Sequence, residues 1–293
     1  MKVYYECGAC FLRQAREAMD LATDDVDIKI TLMQSIFEYL ADNYNTEASS
    51  NKVGTDIHRM IKSKTNCEDP YIKEKRLGNQ IAMDLLPKFQ KILSKDASLE
   101  NYTKIAIIGN ILDFGALGLD IDLEALIRNS LKKKLVINET KKLEKSLNNV
   151  DSLLYLVDNT GEIVFDKLLI EKLKKEYGVD ITVAVKSKPI INDACLEDAL
   201  SIGLDEIANV VTIGADSVGI IYEYSSPAFQ KIFNSHDLVI SKGLGNYEGL
   251  TELSPELQNK DVYCLLSAKC SAIAKDIGLD EGDMATFRLF SKS

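Results

Sequence analysis

Short apolar runs alternate with helical patterns from residue 104 onward, and this alternation limits the possible folds more than any other feature. The runs that predict strands are 104–108, 152–157, 181–185, 209–213, 237–241 and 261–266. Helical patterns lie between most of them, for example at 162–176 and 194–202. Because continuous apolar strands separated by helices are typical of a parallel sheet covered on both faces, we predict an α/β fold.

The first hundred residues have a different pattern, in which apolar residues recur at the spacing of an amphipathic helix. The pattern is clear at 11–22 and 32–40, and it extends to 53–63, 71–86 and 88–94. We recognise no convincing strand before residue 100. The sequence therefore predicts an all-helical part over 1–100 and an α/β part over 101–293.

The overall composition excludes several classes of protein. The 293 residues are 46% apolar and 27% charged, the balance of a globular protein with a real core. A net charge of −10 disfavours binding to the phosphate backbone of nucleic acid. We find no apolar run of the ~18 residues that a membrane span needs and no signal-peptide layout, so we expect a cytoplasmic protein without a membrane partner.

Polar residues and glycines follow the predicted strands where each strand ends. Ligands of open parallel sheets bind at the carboxyl ends of the strands, so we expect these residues to share one site. They include Asn110, Asp113, Asp158, Asn159, Glu162, Lys186, Lys188, Asp193, Lys242, Gly243, Gly245, Asn246 and Lys269.

The residue types at this edge favour phosphate chemistry assisted by a metal ion. Asp158, Asn159 and Asp193 offer oxygen ligands that suit Mg²⁺ or Mn²⁺, and the chain has only two histidines for a zinc site. Lys188 and Lys242 carry charges that suit phosphate oxygens. A metal ion and lysines around a phosphate are the recurring apparatus of phosphoryl transfer.

Each of these residues also has a purely structural interpretation. Asn159 and Glu162 fit a helix capping box, and Asp193 fits the cap of the helix at 194–202. The lysines fit a solvated surface, and the glycines fit tight turns. The coincidence of all of them at one edge of the sheet favours the functional interpretation.

Cys7 and Cys10 are the only two of the six cysteines spaced as a ligand or redox pair. One such pair is half of a zinc site, which His58 and Cys67 could complete, and plain buried thiols are the alternative. We find no dinucleotide fingerprint, no phosphate-binding loop of the Walker type and no nucleophile elbow.

Several ordered motifs together resemble one protein family over essentially the whole chain. They are CGAC at 7–10, EDPYIKEKRLGN at 68–79, GNILDFG at 109–115, DNTGE at 158–162, KSKPIINDA at 186–194 and KGLGN at 242–246. The chain resembles the damage-control phosphatases, formerly domain of unknown function 89, and in particular their archaeal branch that carries the CxxC pair.

The resemblance implies a helical subdomain packed on a Rossmann-like, three-layer α/β/α domain with a mostly parallel sheet. It implies a phosphatase that depends on Mg²⁺, Mn²⁺, Co²⁺ or Ni²⁺ and hydrolyses small phosphomonoesters, either sugar phosphates or damaged phosphometabolites. The family's metal ligands fall on Asp158, Asn159 and Asp193, its substrate contact on Glu162, and its phosphate-side segment on 242–246.

Two other functions stay open at this stage. One is an S-adenosylmethionine-dependent methyltransferase, which has also been proposed for a branch of relatives. The other is a non-catalytic module that binds a metabolite or is regulated through the thiols of Cys7 and Cys10.

Overall fold

The computed structural model describes residues 1–111 and 129–292. Five helices come first: α1 (Cys7–Ala22), α2 (Val26–Asn43), α3 (Ser50–Thr65), α4 (Ile72–Leu93) and α5 (Leu99–Ile111). The helical patterns of the first hundred residues are thereby confirmed. The stretches 71–86 and 88–94 belong to the single helix α4, which contains Pro87.

The strand predicted at 104–108 is wrong, because these residues lie inside α5. The four apolar residues Ile105, Ala106, Ile107 and Ile108 are all buried, between α7 (Glu162–Tyr177) and the sheet. A helix buried on every side shows no apolar period, and over five residues it has the pattern of a buried strand.

The remaining five predicted strands are confirmed, and two further strands complete a seven-stranded sheet. The strands are β1 (Leu135–Asn138), β2 (Ser152–Leu156), β3 (Asp180–Val185), β4 (Asn209–Thr212), β5 (Leu238–Lys242), β6 (Asp261–Ser267) and β7 (Met284–Phe290). Their order is β1-β7-β6-β5-β2-β3-β4. All neighbours are parallel except β6 and β7, so the sheet is mostly parallel as predicted.

Helices cover both faces of this sheet. Besides α7 they are α6 (Thr140–Leu147), α8 (Leu196–Ser201), α9 (Pro227–Ser235), α10 (Leu244–Leu250) and α11 (Ser271–Ile277). Leu153 and Tyr155 of β2 belong to the core that contains α7, whereas Leu154 and Leu156 belong to the core that contains α9. Alternate residues of one strand therefore enter two cores, which confirms the three-layer arrangement.

The first three helices share a smaller core of their own, which includes Phe11, Leu32 and Ile57. Helix α4 instead joins the main core through Leu85 and Phe89. The division of the chain into domains at residue 100 stays a prediction. Among the described helices, none is both long and apolar enough to cross a membrane.

Candidate active site

The candidate site lies where β5, β2 and β3 end side by side. The chain after β2 continues to one side of the sheet through β3, and β5 lies on the other side of β2. This reversal of strand order opens a crevice at the carboxyl ends of the strands, where ligands of open α/β sheets bind.

Backbone hydrogen bonds bring Asp158 and Asp193 together, although 35 positions separate them in the sequence. Ala194 donates its N–H to the carbonyl of Asp158 at 2.9 Å, and Thr160 donates to the carbonyl of Asn192 at 3.0 Å. Asn159 and Asp193 form an isolated antiparallel bridge. The segment after β3 therefore folds back onto the segment after β2, as the strand-end argument requires.

The two carboxylates are largely withdrawn from solvent, with 8% of Asp158 and 5% of Asp193 exposed. Burial raises the pKa of Asp158 well above its usual range, and the charges of Glu162 and Asp193 raise it further. Burial also raises the pKa of Asp193, and the ammonium of Lys186 partly opposes this. Two buried carboxylates held this close favour a bound cation.

One carboxylate oxygen of Asp158 and Asp193 accepts no well-aligned hydrogen bond. Asp193 Oδ2 lies 3.3 Å from the ammonium of Lys186, but it accepts no well-directed hydrogen bond within the described residues. Asn159 Nδ2 donates to Asp158 Oδ2 at 2.9 Å. Carboxylate and amide oxygens of this kind are the donors that a hard divalent ion prefers. The described residues contain no group of three His, Cys, Asp or Glu side chains placed to hold a metal ion.

Gly243 makes room for the carboxylate of Asp158. Its φ of +77° belongs to the left-handed region, and a Cβ at this position would overlap the Asp158 carboxyl group. The predicted glycine after β5 is therefore placed against the candidate metal ligand itself.

Gly243→Ala is expected to lower phosphatase activity at least about tenfold, because the new methyl group must displace the Asp158 carboxylate. The matched control is Gly278→Ala, since Gly278 has a φ of +83° with no atom within 4 Å of the added Cβ. Both variants carry about 1–3 kcal/mol of backbone strain, so thermal unfolding and steady-state kinetics separate strain from site displacement. Equal activity in the two variants would contradict this role of Gly243.

Lys242 is enclosed by protein instead of facing the crevice. None of it is exposed, and its ammonium pairs with the carboxylates of Glu162 and Asp166 and donates to the carbonyl of Ala106 at 2.9 Å. Tyr155 donates its hydroxyl to Asp166 at 2.7 Å. A direct phosphate contact of Lys242 does not fit this burial, which places the lysine behind Asp158 as a support.

Of the remaining predicted residues, some hold the backbone of the site through hydrogen bonds and others lie at the surface or line the crevice. Glu162, which is fully buried, accepts at 3.4 Å from the N–H of Asn159. The predicted capping box is only half formed, because the N-cap of α7 is Gly161 and the Asn159 amide donates to Asp158. Asn246 donates to the carbonyls of Val157 and Lys242, both at 2.9 Å. Lys188 is exposed, and Gly245 lines the crevice.

Two predicted residues lie near or within the part of the chain, 112–128, that falls outside the described residues. Asn110 is in the last turn of α5, and Asp113 lies outside the described residues.

The residue that takes the place expected for Lys188 is Lys186. It is buried directly after β3, it forms the ion pair with Asp193, and it donates to the carbonyl of Gly219. Its position immediately after the strand was the signal in the sequence, because such residues lie closest to the sheet edge.

A cleft of about 430 Å³ extends from the carboxylates to the helical part of the chain. The sequence predicts Lys269 at this site but not most of the opposite wall, which comes from α1, the start of α3, α10 and the segment around α11. It includes Cys7, Cys10, Gln14, Ser50, Asn51, Glu248, Lys269 and Cys270. The CxxC pair therefore lies in the same cleft as Asp158. Its use as a second metal site stays a prediction.

A sequence model described as the damage-control phosphatase ARMT1-like domain matches residues 3–285. The chain belongs to the damage-control phosphatase family. This match confirms the resemblance that the ordered motifs predict.

Individual damage-control phosphatases are similar over nearly their whole length. That of Pyrococcus horikoshii is 34% identical, with 98% of each chain covered, and that of Archaeoglobus fulgidus is 33% identical, with 97% of this chain and 98% of the other covered. An uncharacterised protein of Methanocaldococcus jannaschii is 42% identical over 97% of this chain and 94% of its own.

The fold is also similar to that of a solved damage-control phosphatase relative. The crystal structure of a DUF89 family protein from Pyrococcus horikoshii superposes with a TM-score of 0.88 at 33% identity, over 98% of this chain and 99% of the other. This similarity confirms the Rossmann-like α/β class.

Proposed function

We propose that this damage-control phosphatase hydrolyses phosphomonoesters of small, damaged metabolites at the cleft that ends on Asp158 and Asp193. The observation that carries the proposal is the pair of buried carboxylates at neighbouring strand ends, one of which keeps an oxygen without a directed donor. Two of the named relatives are phosphatases, and this does not favour the methyltransferase or the non-catalytic module.

Asp158, Asn159 and Asp193 would hold the divalent ion. When bound, such an ion polarises the phosphoryl group and lowers the pKa of a coordinated water. Lys186, which is buried 3.3 Å from Asp193, brings a fixed positive charge beside this carboxylate and would hold it in place for the ion.

Three further residues keep these ligands in place. Lys242 and Glu162 form a buried ion pair under the start of α7, and the side chain of Glu162 accepts from the backbone of Asn159. Asn246 joins the end of β2 to the start of α10 through the carbonyls of Val157 and Lys242. Support of this kind fixes the ligands before substrate arrives, which is what electrostatic catalysis needs.

Removal of divalent ions is expected to abolish hydrolysis of p-nitrophenyl phosphate. The protein is treated with EDTA, dialysed, and assayed with Mg²⁺, Mn²⁺, Co²⁺ or Ni²⁺ added back singly. Recovery with at least one of these ions supports the proposal, and the order of recovery identifies the preferred ion. Full activity in the presence of excess EDTA would contradict it.

A further inference from the structure

The wall of the cleft opposite the metal ligands carries more acidic than basic side chains among largely apolar surroundings. Besides Asp158 and Asp193, the acidic residues among the described residues that line the cleft are Glu6, Glu248 and Glu281, and Lys269 is the one lysine. None of the described lining residues is an arginine. The lining side chains of this wall therefore carry more formal negative than positive charge, part of which the Met1 ammonium beside Glu248 and Lys275 near Glu6 balance.

Two of these glutamates are held in place by hydroxyl groups. Ser271 and Tyr5 donate to Glu6, and these hydrogen bonds lower the pKa of its carboxyl group, so Glu6 is ionised at neutral pH. Ser50 donates to Glu248 Oε1 at 2.7 Å. Burial raises the pKa of Glu248 to about 7, so a nearby cation would favour its charged form.

A buried acceptor in the same wall lacks a donor. Asn51 lines the cleft with 1% of its surface exposed, and its Nδ2 donates to the carbonyl of Gly245 at 2.8 Å. Its Oδ1 has no hydrogen-bond partner within the described residues. An unsatisfied buried acceptor is costly, and a ligand N–H or O–H would satisfy it.

The glutamates do not form a second site for a metal ion. In the described part of the chain, no three acidic, cysteine or histidine side chains converge closely enough to hold one. Carboxylates dispersed over a cleft wall, together with an unpaired amide oxygen, suit a larger organic cation with several N–H donors.

We infer that this phosphatase selects phosphomonoesters of amino alcohols, in which the leaving group carries an ammonium group, and discriminates against leaving groups with a second anionic group. The inference rests on the proposed phosphatase function. Glu6 and Glu248 are the specificity-determining residues, and Asn51 supplies the acceptor for one ammonium hydrogen.

Three esters of nearly equal size test this selection. Ethanolamine phosphate, 2-hydroxyethyl phosphate and phosphoglycolate carry a cationic, a neutral and an anionic leaving group. With the metal-loaded enzyme, kcat/KM is expected to fall in this order, by at least about tenfold from the cationic to the anionic ester. Any other order would overturn the inference.

Variants separate the effect of the wall from the intrinsic reactivity of the esters. Glu6→Gln and Glu248→Gln are each expected to lower the ratio of kcat/KM for the cationic over the anionic ester about fivefold. Glu17→Gln, on the exposed side of α1, is the matched control and is expected to leave this ratio unchanged. An unchanged ratio in both cleft variants would overturn the assignment of these residues.

Hydrolysis of p-nitrophenyl phosphate distinguishes a failure of the charge selection from a failure of the proposed phosphatase function. If the wild-type enzyme hydrolyses this aryl ester but does not follow the predicted charge order, the selection is wrong and the phosphatase function stands. If none of the four esters is hydrolysed with any of the divalent ions, the proposed function itself is wrong.

Discussion

Asp158→Asn and Asp193→Asn are each expected to lower kcat/KM for p-nitrophenyl phosphate by at least about a hundredfold. Each substitution removes one negative charge from the oxygen set and keeps the shape of the side chain, so packing changes little. Loss of groups that merely support a metal site costs ten- to a hundredfold, and loss of a ligand is expected to cost more. Steady-state kinetics at saturating metal concentration measures the effect.

The matched control for these variants is Asp180→Asn. Asp180 is exposed at the opposite end of β3, far from the strand ends that form the site. Its replacement is expected to leave kcat/KM within about twofold, because surface substitutions of this kind change little. Activity of the Asp158 and Asp193 variants close to that of this control would show that the site is elsewhere.

Lys242→Met is expected to lower the free energy of unfolding by about 3–5 kcal/mol. The substitution leaves the buried carboxylates of Glu162 and Asp166 without their cation, and removal of one partner from a buried ion pair has a cost of this size. Urea denaturation followed by circular dichroism measures the change in unfolding free energy.

Two further variants give this experiment its controls. Lys188→Met removes an exposed lysine and is expected to change the unfolding free energy by less than about 0.5 kcal/mol. The triple variant that adds Glu162→Gln and Asp166→Asn to Lys242→Met removes the uncompensated charges and is expected to recover part of the loss. A Lys242→Met protein as stable as the wild type would contradict the buried support.

The strand-end residues show what a single sequence predicts well. Asp158 and Asp193 follow buried strands, and in a parallel sheet the carboxyl ends of neighbouring strands lie side by side. The backbone bonds between the two segments then fix the pair. The relation between these positions needed only the strand pattern and the direction of the strands.

The sequence does not show which of two nearby lysines faces the site. Lys186 and Lys188 lie two residues apart after β3, and the turn that follows buries one and exposes the other. Lys242 similarly ends a buried strand, but its long side chain reaches back to Glu162 and Asp166. Side-chain direction at a strand end depends on tertiary packing that no local pattern records.

The elements that the sequence does not predict correctly, α5, β1 and β7, lack the local residue patterns on which such predictions depend. Helix α5 is buried along 103–109, so its apolar run lacks the period that distinguishes a helix from a strand. Strand β1 has only four residues, and β7 pairs antiparallel with β6 outside the repeating pattern of strand and helix. The cleft wall combines Ser50 with Glu248, which are 198 positions apart, and only the packed fold brings them together.

Calorimetric titration of the EDTA-treated protein with Mn²⁺ measures ion binding at the proposed metal site independently of catalysis. We expect one ion per chain bound by the wild type and by Asp180→Asn, with affinity lowered at least about tenfold in Asp158→Asn and in Asp193→Asn. Equal affinity of all four proteins for Mn²⁺ would contradict the assignment of Asp158, Asn159 and Asp193 as the metal site.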